Sequence, residues 1–274
     1  MTAYRVIHRG MLTVALLLAG GAAFAQAPAA QTPAAQAPYE PQVGQQGKDV
    51  VWVPTPDALV EKMLDMAKVT SQDYVIDLGS GDGRTVIAAA KRGARAHGIE
   101  YNPDMVELAK ANAAKAGVAD RATFAKEDLF ESDFSKATVI TMFLLPTLNL
   151  KLRPTLLDLK PGTRIVSNSF TMEDWEADET ATLSNDCVSW CTALFWIIPA
   201  KVDGTWQLGQ EALTLKQTFQ RFTGTLGGKP ISEGKLRGDE ITFTVGTAKY
   251  TGRVNGPSMK GTGSAGGAWS ATRR

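Results

Sequence analysis

The 274-residue sequence has few of the residues that build metal sites. It contains two cysteines and two histidines, His8 and His97. A structural zinc site takes four cysteine or histidine ligands, so a bound metal is not expected. The charges are also nearly balanced, because 29 basic and 28 acidic residues give a net charge of +1. A nucleic-acid partner is not expected either, since such proteins carry a basic patch or an overall basic charge.

The N-terminal apolar run, residues 12–25, is shorter than the roughly 20 residues that a membrane-spanning helix needs. Basic residues precede it, and Ala23 and Ala25 form an A-x-A pair at its end. This pattern predicts a secretory signal peptide over residues 1–25 that is cleaved after Ala25 and leaves no membrane span; an uncleaved anchor is the alternative. We therefore expect an exported, periplasmic protein, or a cytoplasmic one if the signal is not used.

The two cysteines, Cys187 and Cys191, lie in the run "DCVSWCTALFW", whose apolar and aromatic residues are typical of a β-strand. In a strand, positions four apart lie about 13 Å from each other, whereas a disulfide needs Cα atoms within about 7 Å. We expect buried free thiols, with a disulfide as the alternative if the chain turns between the two cysteines.

The rest of the sequence divides into three parts by composition. Residues 26–50 are rich in Ala, Gln and Pro, which predicts a disordered linker. In residues 51–200, short apolar strands alternate with helices, which predicts a Rossmann-like, doubly wound α/β sheet. In residues 201–274, short alternating runs are separated by glycine turns, which predicts an antiparallel β-meander. The edges of that meander must be covered, either by closure on itself or by docking on the first domain.

The α/β part begins with a glycine-rich turn in "VIDLGSGDGRTVIAAA". Gly79, Gly81 and Gly83 lie where a strand passes into a helix, and glycine lets backbone N–H groups approach a ligand closely. The turn is not the dinucleotide motif G-x-G-x-x-G, because Arg84 takes the place of the third glycine. It is not a P-loop either, since no G-K-[ST] follows.

Three acidic residues lie near the ends of three consecutive predicted strands. Asp77 lies inside the end of an apolar strand, where an unpaired charge costs several kcal/mol. Glu100 ends the next strand, where a carboxylate can bind both hydroxyls of a ribose. Asp128 follows the third strand and can accept a hydrogen bond from the amine of a base. These acids lie at the sheet edge where open α/β sheets bind ligands.

In this order and spacing, "VIDLGSGDGR", "GIEYNP" and "KEDLF" resemble the motifs of class I S-adenosylmethionine-dependent methyltransferases. In addition, "VPTPDALVEKML" and "FLLPTLNLKLRPTL" resemble the seven-β-strand lysine methyltransferase group that includes the ATP synthase c-subunit and adenine nucleotide translocase enzymes. The resemblance covers residues 51–200 and does not extend to the predicted meander. It implies S-adenosyl-L-methionine as cofactor and a protein or small-molecule methyl acceptor.

The resemblance also implies roles for individual residues toward the cofactor. Gly79, Gly81, Gly83 and Asp77 would hold the methionine half, Thr55 and Trp52 would cover its tail, Glu100 would bind the ribose, Tyr101, Leu129 and Asp128 would hold the adenine, and Phe143 would face the reactive methyl group.

The catalytic residue is less clear from the sequence. Many amino methyltransferases have an Asp/Asn-Pro-Pro-Tyr/Phe motif after the fourth strand, but this chain has "MFLLPTLN" there. Asn149 is the nearest polar candidate for orienting a nucleophile, with a solvated amide or a local cap as the alternative. The expected function is methylation of a protein lysine or another amine. The alternative is an exported non-catalytic protein that uses this fold as a ligand-binding or scaffolding module, because the cofactor is made in the cytoplasm.

Overall fold

The computed structural model describes residues 39–185, 187–264 and 266–274. The predicted signal peptide and residues 26–38 of the predicted linker lie outside the described residues. In the described part of the chain, no helix combines the length and the apolar character needed to cross a membrane.

Residues 57–197 form a seven-stranded sheet with four helices. The helices are α1 Asp57–Met66, α2 Arg84–Lys91, α3 Pro103–Lys115 and α4 Pro146–Leu157. The strands are β1 Tyr74–Leu78, β2 Arg95–Glu100, β3 Ala122–Lys126, β4 Val139–Met142, β5 Arg164–Asn168, β6 Glu179–Thr182 and β7 Thr192–Ile197.

The strand order is β3-β2-β1-β4-β5-β7-β6. Strands β1 to β5 are parallel, as the α/β alternation predicts, and β7 is antiparallel to both β5 and β6. The predicted doubly wound α/β fold is confirmed, with a mixed rather than a fully parallel sheet. The order reverses between β1 and β4, and ligands bind at such a switch point in open α/β sheets.

Side chains of each strand point alternately to two buried layers, one on each face of the sheet. Val75 of β1 packs in the layer that contains α1, α2 and α3, whereas its neighbour Ile76 packs in the layer that contains α4. Leu152 and Leu156 of α4 are almost fully buried in that second layer, and the helix continues through Pro154. Both faces of the central strands are therefore covered, which explains why β1 and β4 are nearly continuously buried and apolar.

The C-terminal part is a closed eight-stranded antiparallel barrel. Its strands are β8 Gly204–Leu208, β9 Glu211–Thr218, β10 Arg221–Leu226, β11 Lys229–Arg237, β12 Glu240–Val245, β13 Ala248–Asn255, β14 Ser258–Gly263 and β15 Ala268–Arg273. Its interior is filled by large side chains that include Trp206, Phe243 and Met259. Of the two predicted ways to cover the meander's edges, closure on itself is the one observed.

The barrel also contacts the segment between β5 and β6. The Gln220 side-chain amide donates to the Glu176 carbonyl at 2.8 Å, and the ring of Phe219 stacks on Trp175 with a centroid distance of 5.7 Å. At the sheet edge, Arg237 of β11 donates to Glu179 of β6 at 2.9 Å. Apolar and charged contacts thus join the barrel to the α/β sheet.

The prediction of a disordered linker is wrong for residues 39–50, which are folded. The Gly44 N–H donates to the Trp52 carbonyl at 2.8 Å, and the Trp52 N–H donates to the Gln45 carbonyl at 2.9 Å. Gln46 and Val51 form an antiparallel bridge. We call residues 44–52 the N-terminal hairpin. It folds because Trp52, just outside the predicted linker, packs on the glycine turn, where a Cβ on Gly81 would lie 2.6 Å from its indole Nε1.

The prediction of free thiols in a strand is also wrong. Cys187 and Cys191 form a disulfide with their Cα atoms 5.8 Å apart. The chain turns between them, with Trp190 in the left-handed region at φ +58°, and strand β7 begins only at Thr192. The turn brings the two cysteines within the distance that a disulfide allows. We call residues 187–191 the disulfide loop, and Trp190 of this loop lines the cavity described below.

Candidate functional site

A cavity of about 410 Å³ opens at the carboxyl ends of β1, β2 and β4, which is the switch point of the sheet. Its volume lies in the range of small-molecule sites, roughly 300 to 1,000 Å³. Of the ten residues predicted to bind the cofactor, nine line this cavity, namely Thr55, Asp77, Gly79, Gly81, Glu100, Tyr101, Asp128, Leu129 and Phe143. Trp52 of the N-terminal hairpin lines it as well.

The glycine turn lines the cavity next to the end of strand β2. Gly79 and Gly81 have backbone φ values of +77° and +53°, which residues other than glycine rarely adopt. The N–H groups of Gly79 and Ser80 both donate to the Ile99 carbonyl, at 2.9 and 3.0 Å. These bonds hold the turn against β2, so that the end of β2 and the turn face the same cavity.

Gly83 does not line the cavity, contrary to the prediction. It precedes α2 with φ +82°, and a Cβ there would lie 2.8 Å from the Phe124 ring and 2.9 Å from Ala109. Glycine is required at this position because α2 packs closely against α3 and β3. Its role is therefore in packing.

Glu100 is fixed by two backbone hydrogen bonds. Its Oε2 accepts from the Gly81 N–H at 2.9 Å, and its Oε1 accepts from the Asn102 N–H at 2.9 Å. A carboxylate has about four lone-pair sites, so both oxygens keep capacity for further donors. A pair of adjacent hydroxyls, as in a ribose, matches this arrangement.

Asp77 is a buried acid with 6% of its surface exposed. Its Oδ1 accepts from the Thr141 hydroxyl at 2.7 Å, and no basic side chain of the described residues forms an ion pair with it. Burial raises the pKa of Asp77 to about 7, and the nearby Glu100 and Asp82 add to the rise, while the hydrogen bond from Thr141 opposes it. A cationic ligand in the cavity would supply the missing counter-charge.

Asp128 and Tyr101, predicted to hold the adenine, are both engaged by Lys48 of the N-terminal hairpin. The Lys48 ammonium forms an ion pair with Asp128 and lies 4.8 Å from the centre of the Tyr101 ring. The hydrogen bond from Lys48 is the main cause that lowers the pKa of Asp128 below its usual range. The Phe130 N–H donates to the other oxygen of Asp128 at 2.9 Å. Lys48 therefore occupies the predicted adenine subsite.

Replacing Lys48 with alanine is expected to tighten the binding of S-adenosyl-L-homocysteine about two- to fivefold, because the adenine amine would no longer compete with an ammonium for Asp128. Calorimetric titration measures the change. Lys115→Ala, which removes an exposed lysine at the end of α3, is the matched control. Weaker binding by Lys48→Ala would contradict this interpretation and would show that Lys48 helps to hold the ligand.

Thr55 is buried at the start of the chain segment that leads into α1. Its hydroxyl oxygen accepts from the Asn168 side-chain amide at 3.2 Å, and its carbonyl accepts from Arg84 at 3.0 Å. Arg84 in turn donates to Asp82 in the glycine turn at 2.7 Å. These bonds tie the segment before α1 to the glycine turn and to the end of β5.

Three aromatic rings meet at one side of the cavity. Phe143 follows β4, Phe170 follows β5, and Trp190 belongs to the disulfide loop. Their ring centroids are 5.9 Å apart for Phe143 and Phe170, 5.7 Å for Phe143 and Trp190, and 5.2 Å for Phe170 and Trp190. We call these three residues the aromatic triad. Only Phe143 was predicted, because Phe170 and Trp190 are distant in sequence and belong to no motif.

Asn149, the candidate catalytic residue, is not among the residues that line the cavity. It is fully buried in α4, and its amide donates to the carbonyls of Phe170 and Thr171 at 3.2 and 3.1 Å. It is therefore neither a solvated amide nor a residue that the structure places at a nucleophile. Its side chain instead holds the segment after β5, which includes Phe170, against α4.

The residues present fit S-adenosylmethionine. Its methionine half carries an ammonium and a sulfonium, and the uncompensated Asp77 lies in the wall of the cavity. The Ser80 hydroxyl in the glycine turn is buried and has no hydrogen-bond partner among the described residues. Glu100 has room for a ribose, as shown above. Fold and site together define a class I methyltransferase that uses S-adenosylmethionine.

Comparison with known proteins agrees with this class. The family model described as "ANTKMT methyltransferase domain" matches residues 77–179. A protein-lysine N-methyltransferase of Saccharolobus islandicus is 48% identical over 133 residues, which are 47% of this chain and 83% of the relative. The chain therefore belongs to the same methyltransferase family as this protein-lysine N-methyltransferase. The lysine N-methyltransferase of the ATP synthase c-subunit from Mus musculus is 35% identical over 138 residues, which cover 50% of this chain and 56% of the relative.

A solved structure adds the ligand but names a different acceptor. The structure of an RNA methyltransferase from Salinibacter ruber, in complex with S-adenosyl-L-homocysteine, is 49% identical with a TM-score of 0.52. The match covers 55% of this chain and 96% of that one. Of these relatives, the one with a solved structure holds S-adenosyl-L-homocysteine. The acceptors in their names differ, so the acceptor must be argued from the site.

Proposed function

We propose that this protein methylates the side-chain amine of lysine in a protein substrate. The observation that carries the proposal is the charge of the cavity wall. Six acidic and two basic side chains line it, namely Asp49, Asp77, Asp82, Glu100, Glu127 and Asp128 against Lys48 and Arg84. Both basic groups are paired with acids, Lys48 with Asp128 and Arg84 with Asp82. Three of these acids are assigned to the cofactor, and Asp82 is paired with Arg84. Asp49 and Glu127 remain, and they attract an amine and repel the phosphates by which proteins hold RNA.

The chain's own residues prepare two parts of the reaction. Asp77 and Glu100 would hold the methionine and ribose ends of the cofactor, which would supply a methyl group carried on a sulfonium sulfur. The apolar mouth around Phe143 and Leu145 removes water from the acceptor amine, and this desolvation favours its neutral, nucleophilic form. The acceptor nitrogen would bind the methyl carbon with its own lone pair and become positive, and the electron pair of the broken S–C bond would stay on sulfur. One proton then leaves the nitrogen to solvent.

The proposal is tested by incubating the purified protein with S-adenosylmethionine and, separately, with total protein and total RNA from cells that lack this chain. We expect methyl-lysine in digested protein by mass spectrometry and no new methylated nucleotide. Asp77→Asn is the inactive control. Methylated nucleotides without methyl-lysine would contradict the proposal. Ligand binding with no methylated product in either pool would support the non-catalytic alternative instead.

We infer that the protein acts outside the cytoplasm, in the periplasm. Two observations support this inference: the predicted signal peptide at residues 1–25 and the disulfide between Cys187 and Cys191. Disulfides persist in exported proteins and are rare in the reducing cytoplasm. The expected N-terminus of the protein recovered from the periplasmic fraction is Gln26, by mass spectrometry. Recovery in the cytoplasmic fraction with Met1 intact would contradict the inference.

A further inference from the structure

The aromatic triad is not explained as part of the core. Trp190 is 43% exposed, although it is the largest type of apolar side chain. Among the described residues, five other large apolar side chains are exposed, and three of them, Val51, Tyr101 and Leu145, line the same cavity, whereas Val43 and Val188 do not. Exposed apolar groups gathered around one opening mark a binding surface. The triad forms the part of that surface that contains Phe143, which is predicted to face the transferred methyl group.

The disulfide loop holds Trp190 in place. A tryptophan in the left-handed region at φ +58° is unfavourable and persists only where the surroundings fix it. Here the bond between Cys187 and Cys191 closes the chain on either side of Trp190. The loop also presents Val188, which is fully exposed and does not line the cavity. The bond therefore positions Trp190 in particular over Phe143 and Phe170.

The geometry points to the aromatic triad as the binding site for the alkylammonium end of the acceptor. The disulfide completes this site because it positions Trp190. The face of an aromatic ring attracts a cation, and several rings together bind methylated ammonium groups. The acceptor nitrogen enters as a neutral amine and gains positive charge as it is methylated, so the rings would stabilise the methylated ammonium. The lysine stem would pack on the same rings. This inference rests on the proposed function, because it assigns the amine that the methyl group reaches.

The test compares two probes of nearly equal shape on the purified protein saturated with S-adenosyl-L-homocysteine. Choline carries a trimethylammonium group, and neohexyl alcohol is its uncharged analogue with carbon in place of nitrogen. Calorimetric titration should show choline binding at least about fivefold more tightly than neohexyl alcohol. Equal affinity of the two probes would overturn the inference.

Variants of the disulfide loop and the triad localise the effect. Trp190→Leu should weaken choline binding about fivefold, whereas Trp190→Phe should retain most of it, since the ring face remains. Val188→Ala is the matched control on the same loop and should change nothing. If Trp190→Leu failed to fold, Phe170→Leu would provide the same test from the β5 side. Wild-type choline affinity in the leucine variant would overturn the inference.

Reduction of the disulfide tests the second part of the inference. Opening it with a phosphine reductant, or with Cys187→Ser and Cys191→Ser together, should weaken choline binding as much as Trp190→Leu does. The affinity for S-adenosyl-L-homocysteine should not change. Unchanged choline binding after reduction would show that the bond does not position Trp190. Failure of the protein to bind S-adenosyl-L-homocysteine at all would refute the proposed function itself, which separates the two results.

Discussion

Asp77→Asn should make the protein more stable and at the same time unable to hold its cofactor tightly. The carboxyl group of Asp77 is 6% exposed, and its pKa is raised from 3.8 to about 7, first of all by burial. Asparagine has the same shape and keeps an oxygen that accepts from the Thr141 hydroxyl. The substitution therefore removes the cost of a buried charge without leaving a cavity.

The pH dependence of this gain has a defined sign. In the folded protein Asp77 keeps its proton up to about pH 7, whereas in the unfolded chain it loses it near pH 4. Between these values the folded state binds more protons, so its stability falls as the pH rises and stays lower above pH 7. Asp77→Asn should raise the free energy of unfolding by about 2 to 4 kcal/mol at pH 8 and change it little at pH 4.

Cofactor binding should change in the opposite direction. The charged Asp77 is the partner proposed for the cofactor ammonium, so binding requires the deprotonated form. For the wild type, affinity for S-adenosylmethionine should be roughly tenfold lower at pH 6 than at pH 8, given a pKa of about 7 in the free protein. For Asp77→Asn, affinity should be low at both pH values.

Two measurements check these expectations on the same samples: denaturant unfolding at pH 4 and pH 8, and calorimetric titration at pH 6 and pH 8. Asp120→Asn, which neutralises an acid that is 65% exposed after α3, is the matched control and should affect neither property. A loss of stability in Asp77→Asn at pH 8 would contradict the assignment of Asp77 as a destabilising buried charge. An affinity that does not vary with pH would show that Asp77 does not bind the ammonium.

Glu100→Gln should lower both cofactor affinity and stability. Each oxygen of Glu100 accepts a backbone N–H, from Gly81 and from Asn102. Glutamine has one oxygen, so its NH₂ group must face one of these donors, which leaves that donor unpaired and costs about 1 to 3 kcal/mol. The loss of the charge-assisted contacts to the ribose should weaken S-adenosylmethionine binding about ten- to hundredfold.

The control for Glu100 is Glu107→Gln, because Glu107 is an exposed acid on α3 that, among the described residues, pairs only with Lys110. It should retain wild-type affinity and stability. The two site variants together are diagnostic, since Asp77→Asn should stabilise the protein and Glu100→Gln should destabilise it, although both weaken binding. Wild-type affinity in Glu100→Gln would mean that the ribose lies elsewhere in the cavity.

The cofactor side of the site was predictable from the sequence because local rules determine it. Asp77, Glu100 and Asp128 each lie at or near the carboxyl end of a strand, and parallel strands bring these ends to one edge of the sheet. Gly79 and Gly81 were predictable for a similar reason, since a turn at a strand end requires their positive φ values. Nine of the ten predicted cofactor residues therefore line one cavity.

The acceptor side was not predictable, because it depends on contacts between distant segments. The pairing of β5 with β7 brings Phe170 and Trp190 next to Phe143, and no spacing in the sequence indicates this. The local polar candidate, Asn149, is instead buried behind Phe170. The disulfide was only the alternative prediction for a related reason. Strand-like residues continue across a turn, and apolar composition alone does not show where a strand begins.

The closure of the barrel bears on aggregation. A strand edge with unpaired N–H and C=O groups is a template on which other chains can add. In residues 204–264 and 266–273, every strand has a neighbour on both sides, so this all-β part presents no open edge. The outer strands of the sheet, β3 and β6, have five and four residues, and β6 carries the ion pair of Glu179 with Arg237. Short and charged edges of this kind protect the folded protein from pairing with copies of itself.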